Sequence, residues 1–392
     1  MPLRPPAGFI SAFFDPLRNP NAPTIGTATG GDTTASVAFT APANPGGSAI
    51  TAYYAVSNPG QVTVSGATSP ISVTGLSNGT AYTFNVWALN SFGPGPWSAA
   101  TGSVTPAQAR GVFAAGLTSA NSSIIDYIVI STTGNATAFG SLTVDTRVMA
   151  GLSSTTRSVF GGGDGYITNI DYVNPTSAGN ASSFGTITGG AQGAGGINNT
   201  TRGVFGQGCP TGTTNGYKYI TIATTGNTTT FGNATNGGVY VASWCSPTRG
   251  VTAGGTGGAS NAAMEYITTA TTGNATSFGN MSTGNYYIAG CSSSTRGLLG
   301  GGTSPSTAQI FYITIATTGN TAGFGQLLAN NWGLAGSSNA TRAVFAGGNT
   351  GSASNVIQYF TIATTGNATS FGALTAARWG ITGTSNTNGG TQ

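Results

Sequence analysis

Residues Thr201-Arg202-Gly203-Val204-Phe205, Tyr219-Ile220-Thr221-Ile222, Thr224-Thr225-Gly226-Asn227 and Phe231-Gly232, taken in order, are one copy of a unit that occurs six times between residues 107 and 392. Its arginine recurs at Arg110, Arg157, Arg202, Arg249, Arg296 and Arg342, at spacings of 47, 45, 47, 47 and 46 residues. Phe-Gly recurs at Phe139, Phe184, Phe231, Phe278, Phe324 and Phe371, and Gly-Asn precedes it each time, from Gly134 to Gly366. Each unit reads as an arginine strand, a variable loop, a tyrosine strand, a Gly-Asn link, a strand around Phe-Gly and a fourth strand like Tyr287-Ile288-Ala289-Gly290. The Gly-Asn link fits a two-residue hairpin. Four short strands repeated six times predict a six-bladed β-propeller, an all-β fold.

Phase predicts how the ring closes. The repeats begin on the arginine strand, so one strand, Trp379-Gly380-Ile381-Thr382-Gly383, is left over after Phe371. It is expected to complete the first blade and so remove exposed sheet edges. The unit resembles a kelch repeat. Gly161-Gly162 and Gly301-Gly302 match the kelch double glycine, and Tyr127, Tyr172, Tyr219, Tyr266, Tyr312 and Tyr359 match its tyrosine. The recurrent phenylalanine stands where kelch has tryptophan, and the arginine that ends a kelch unit is present only at Arg147 and Arg378.

Residues 21–106 carry a different pattern. Short alternating runs at Ser36–Phe39, Ile50–Val56, Ile71–Val73 and Tyr82–Ala88 are separated by turns at Asn44-Pro45-Gly46-Gly47 and Asn78-Gly79, which predicts a β-sandwich. Ala22-Pro23, the run from Pro42 to Tyr53, Gly75 to Tyr82, Ala88 to Gly93 and Val104-Thr105-Pro106 resemble a fibronectin type III domain. The resemblance implies a corner role for Tyr82 and puts Phe39 where the family usually has tryptophan. Residues 1–20 are broken by Pro2, Pro5, Pro6 and Pro16, so they form neither a continuous helix nor a central strand. With Phe9, Phe13 and Phe14 they read as an extended arm that anchors the protein on a partner.

Composition excludes much chemistry. Charged residues make 5% of the chain, against about 25% in an ordinary soluble domain. Histidine is absent, which removes Ser-His-Asp and Cys-His catalysis and imidazole metal sites. Glu265 and six aspartates offer no evident carboxylate pair, and Lys218, the one lysine, sits in no P-loop. The ten arginines are spread singly, so nucleic-acid binding is not expected. Cys209, Cys245 and Cys291 lack zinc spacing and read as reduced thiols. No metal or cofactor is expected. No signal peptide and no apolar run long enough for a membrane span is visible, so assembly in a cytoplasm without membrane insertion is expected.

The six arginines are expected to bond backbone carbonyls between blades, because there are too few acids to pair them. A candidate site lies ten residues before each arginine, where the innermost strand should begin on the face of the variable loops. In ring order the occupants are Trp379, Arg147, Gln192, Val239, Tyr286 and Trp332. Tyr286, Trp332, Trp379 and Arg147 are consecutive around the ring, and they read either as packing between blades or as an aromatic shelf for sugar rings. A fibronectin type III module before a Gly/Thr/Asn-rich propeller, with the opening Leu3-Arg4-Pro5-Pro6-Ala7-Gly8-Phe9-Ile10, resembles bacteriophage tail-fibre, collar or capsid-surface proteins, those of cyanophages in particular. That resemblance implies a virion structural and adhesion protein, with other virion proteins and host-surface glycans as partners. A bacterial surface or secreted adhesin is the alternative, and a propeller enzyme is disfavoured.

Overall fold

A computed structural model describes residues 17–208, 216–257 and 261–387, so Phe9, Phe13, Phe14 and Cys209 lie outside the described residues. Two units result, Met1–Gln108 and Ala109–Gln392.

In the N-terminal unit, period-two alternation puts one side of each strand into a shared core. Strand Ala52–Asn58 buries Tyr53, Ala55 and Ser57, and strand Thr83–Asn90 buries Phe84, Val86, Ala88 and Asn90. These two strands, with Thr63–Gly66 and Gly93–Pro94, form one sheet; Thr24–Gly30, Thr34–Thr40 and Ile71–Thr74 form the other. The Tyr82 hydroxyl accepts the Ser77 amide at 3.0 Å, five residues upstream, which is the corner role that the sequence implies. Phe39 fills the tryptophan position and packs on Tyr53 with ring centroids 4.7 Å apart.

The second unit is a six-bladed propeller of four-stranded antiparallel sheets. Blades are numbered here by their arginine, from Arg110 in the first to Arg342 in the sixth. The innermost strands are Thr382–Ser385, Ala150–Ser153, Gly195–Asn198, Ala242–Cys245, Ala289–Ser292 and Ala335–Ser338. Strand Thr382–Ser385 pairs with Arg110–Ala114, so the end of the chain completes the first blade. That strand starts three residues later than the sequence suggests, and Trp379-Gly380 belong to the turn before it. The second residue of each inner strand is small (Gly383, Gly151, Gly196, Ser243, Gly290 and Gly336), because there the strands converge on one axis. A Cβ on Gly290 would stand 2.7 Å from the Ser243 carbonyl oxygen of the preceding blade.

The repeated residues are the glue between blades. Each arginine covers its own blade's tyrosine at 4.3–4.6 Å and donates to a backbone carbonyl of the next blade, as Arg157 does to Ile222 at 3.0 Å. Arg342 of the last blade reaches Ile130 of the first at 2.8 Å. The Gly-Asn pair does not form a two-residue hairpin. It lies in a longer loop, between Val129 and Thr137 in the first blade, that leans onto the preceding blade. There the asparagine oxygen accepts the amide two residues after Phe, from Ser141 to Asn180 at 3.1 Å and from Ala373 to Asn135 at 3.1 Å across the closure. The double glycine is also displaced by one residue in the second blade. Left-handed φ falls on Gly162-Gly163 (74° and 144°), equivalent to Gly301-Gly302 (71° and 116°).

A second contact between blades shows how six copies solve one problem. The loop after each Phe-Gly strand presents an amide that must be satisfied away from water. In four blade pairs the acceptor is a buried side chain just before the next blade's tyrosine: Asp126 for Thr375, Asp171 for Thr143, Glu265 for Thr235 and Gln358 for Leu328. Lys218 and Phe311 hold that position in the third and fifth blades and cannot accept. There the residue after Gly-Asn changes from alanine to Thr228 or Thr321, whose hydroxyls accept from Thr188 at 3.0 Å and Ser282 at 2.9 Å.

Closure also rests on Arg378, fully buried, which pairs with buried Asp126 at 2.9 Å and donates to the Ala115 and Ile124 carbonyls at 2.8 and 2.7 Å. Deleting residues 378–392 removes both this cation and the closing strand, leaving Asp126 without its ion-pair partner and the Arg110–Ala114 edge open. The expected result is aggregation or a large loss in melting temperature; a monomeric product with an unchanged melt would contradict this account of closure.

Candidate functional site

The mouth of the propeller's axis, on the variable-loop face, is built by a ring of backbone. The turn residues Val148, Gly193, Tyr240, Tyr287, Gly333 and Gly380 occupy equivalent places in the six blades. All six have left-handed φ, between 54° and 67°. Each donates its amide to the equivalent carbonyl of the preceding blade: Val148 to Gly380 at 2.7 Å, Gly193 to Val148 at 2.8 Å, Tyr240 to Gly193 at 2.8 Å, Tyr287 to Tyr240 at 3.1 Å, Gly333 to Tyr287 at 2.9 Å and Gly380 to Gly333 at 2.7 Å. The circuit is closed. Beneath it the innermost strands line an axial cavity of about 150 Å³.

The sequence-predicted ring residues precede these turns by one position, and their backbones pair with the variable loops. Leu117 bonds Trp379 at 2.7 Å, Asp164 bonds Arg147 at 3.0 Å, Thr303 bonds Tyr286 at 3.2 Å and Asn349 bonds Trp332 at 2.8 Å. The rings of Trp332 and Trp379 meet at 4.7 Å with a 59° tilt, and the Arg147 guanidinium covers Trp379 at 4.8 Å. Tyr286 reaches this group through Tyr287, at 5.9 Å, rather than by direct stacking on Trp332.

Tyr287 is the centre of the cluster, and the ten-residue offset misses it. Its ring stacks on Tyr240 at 4.0 Å and touches Trp332 at 5.4 Å and Trp379 at 6.1 Å, so it bridges three other blades over the mouth. An offset of nine residues, one position further along the chain, finds it. That position reads Val148, Gly193, Tyr240, Tyr287, Gly333 and Gly380, where adjacent bulky and absent side chains signal a plug seated over glycines. The Trp, Tyr and Arg side chains here are half-buried.

Charge at the mouth is balanced. Arg147 pairs with Asp164 at 3.1 Å, and Gln192 donates to Asp164 at 3.2 Å and to the Tyr240 hydroxyl at 2.6 Å. The expected cation beside the aromatics is therefore neutralised by an acid from a variable loop. Burial pushes the Tyr287 phenol well above the ordinary tyrosine range, and its hydrogen bond with Tyr240 adds to the shift. Among the buried thiols, Cys245 is pushed up to about 11 by burial, which keeps it protonated at neutral pH.

Comparison with known proteins agrees with the geometry. Residues 21–103 match the fibronectin type III domain. The solved structure titled "Structure of YjhT", of kelch-like propeller fold, superposes with a TM-score of 0.51 and 12% identity, covering 61% of this chain and 87% of that one. At that identity the likeness shows the fold alone. No curated protein matches the chain.

The Tyr287 phenol keeps its proton in the folded state, while the unfolded chain releases it near pH 10. Its contribution to stability is therefore complete below about pH 10 and lost as pH rises further. Tyr287→Phe is expected to make the fall of melting temperature above pH 10 shallower, as read from thermal melts across that range; an unchanged slope would show that the phenol is not shielded.

Proposed function

We propose that this chain is a non-enzymatic virion structural and adhesion protein, a phage tail-fibre, collar or capsid-surface component. In this reading the propeller binds host-surface glycans at the mouth formed by Tyr286, Tyr287, Trp332, Trp379 and Arg147. The observation that carries the reading is the convergence of half-buried aromatic side chains with hydrogen-bonding groups on the variable-loop face. Sugar rings present C–H faces to aromatics and hydroxyls to donors such as the Arg147 guanidinium. The Arg147–Asp164 pair leaves the site without net charge, which favours neutral glycans over anionic ones. Absence of histidine and the use of Asp126, Asp171 and Glu265 as buried acceptors between blades support a non-enzymatic role. The virion assignment rests on the resemblance of the module order and opening segment to phage surface proteins, with the arm at residues 1–20 as the anchor.

Stacking of a base on an aromatic is worth about 1–3 kcal/mol, and a sugar is held no more strongly, so a single site binds weakly. Adhesion then depends on several copies acting together. On a glycan array, multivalent wild-type protein is expected to bind, while Trp332→Ala and Trp379→Ala, once shown to melt like wild type, lose at least tenfold in signal. Full binding by folded variants would overturn the site. Separately, deletion of residues 1–16, which spares the Arg18 carbonyl that buried Asn90 bonds at 2.8 Å and the Arg18 amide that bonds Gly46 at 2.9 Å, is expected to leave both folded units intact yet abolish incorporation into particles; normal incorporation would refute the anchor.

A further inference from the structure

The fifth blade, like the third, lacks the polar acceptor that joins the other four blade pairs, and in the fifth the break leaves a cavity. Where the fourth blade places Glu265 against the Thr235 amide and the Tyr217 and Gln207 side chains, the fifth places Phe311. Thr321 satisfies the Ser282 amide from the side, so no polar group needs to occupy the space in front of that loop. A cavity of about 110 Å³ remains there. Its walls are Met281, Ile288, Leu299 and Phe311, and exposed Thr283 and Gln309 stand at its edge. Asn285, the buried polar side chain beside it, is spent on its surroundings: it donates to the Pro305 carbonyl at 3.0 Å and accepts the Ser304 amide at 2.8 Å and the Tyr286 amide at 2.9 Å.

We infer that this cavity between the fourth and fifth blades is a binding site for a compact, uncharged, apolar group, such as a phenyl ring or short branched alkyl, whose polar remainder stays at the Thr283 and Gln309 rim. Three observations argue for this chemistry. The walls are aliphatic, thioether and aromatic, so a charge entering would lose its hydration without compensation. The Ser282 amide, the Asn285 side chain and the Thr307 hydroxyl, which accepts the Gln309 amide at 3.1 Å, already have partners, so the polar groups offered to a ligand are concentrated at the Thr283 and Gln309 rim. The volume is somewhat below the roughly 150 Å³ of a dry engineered cavity that takes benzene or xenon, which suits a group of that size and excludes a whole sugar. This site is distinct from the aromatic mouth and does not depend on the glycan reading.

The test uses the full chain with xenon and benzyl alcohol as probes. Xenon-pressurised crystals are expected to show an atom between Met281 and Phe311. Benzyl alcohol is expected to shift the Met281 methyl resonance with saturable binding. Thr283→Trp, which plugs the rim, is expected to weaken benzyl alcohol at least tenfold. Phe311→Glu, which puts a carboxylate where the fourth blade has one, is expected to do the same. Trp332→Ala, at the aromatic mouth, is expected to leave it unchanged. The inference is overturned if wild type shows neither xenon nor a Met281 shift, if folded Thr283→Trp binds like wild type, or if Trp332→Ala abolishes binding. Should Phe311→Glu fail to fold, Thr283→Trp at an exposed position still decides the matter.

Discussion

Six amides bonded to six carbonyls in a closed circuit around the axis are the constraint on which the propeller depends. Such a ring forms only if every blade turns its chain through the left-handed region at the same place, which for a residue with a Cβ costs about 1–2 kcal/mol. Val148, Tyr240 and Tyr287 accept that conformation and Gly193, Gly333 and Gly380 adopt it freely. The placement of the aromatics follows. Tyr287 can lie across the mouth because the next two positions of the circuit, Gly333 and Gly380, carry no side chain.

The outer parts of the blades meet the complementary problem, which is to join neighbours in a chain with very few charges. The repeat does so by spending its ionisable groups on backbone. Arginines serve carbonyls, and buried acids serve amides, so that a group of one blade ends on the main chain of another. Main-chain partners recur at fixed positions whatever the side chains are, and this lets the design repeat. The exchange of alanine for threonine at Thr228 and Thr321 marks the two blades whose acceptor is missing. That compensation keeps the amides satisfied without refilling the volume, and in the fifth blade an apolar cavity is the residue of it.

The face that carries the candidate site differs in kind from the rest. Its loops pair with the residues at the mouth through main-chain bonds, so loop sequence varies while the positions of Trp332, Trp379, Tyr286 and Arg147 are held. A rigid ring under variable loops separates the scaffold from whatever the surface recognises. The neutralisation of Arg147 by Asp164 belongs to this face as well, since the acid comes from a loop and the cation from the ring.

Blade number, blade order and closure by the last strand were legible in the sequence, because a six-fold repeat reports its own packing requirements and its phase leaves one strand over. The partners of the arginines were legible too, since a chain so poor in acids has little but carbonyls to offer them. The function of Gly-Asn was not: a hairpin is a local inference, whereas the asparagine serves the preceding blade about forty residues away. Nor was Tyr287, whose importance comes from rings contributed by separate blades. Sequence by itself determined the periodicity, hence the all-β fold and the face on which loops vary. Only the tertiary structure decided which side chains meet at the axis and where a cavity remains, because those distances are set by six blades converging on one line, a geometry no single repeat contains.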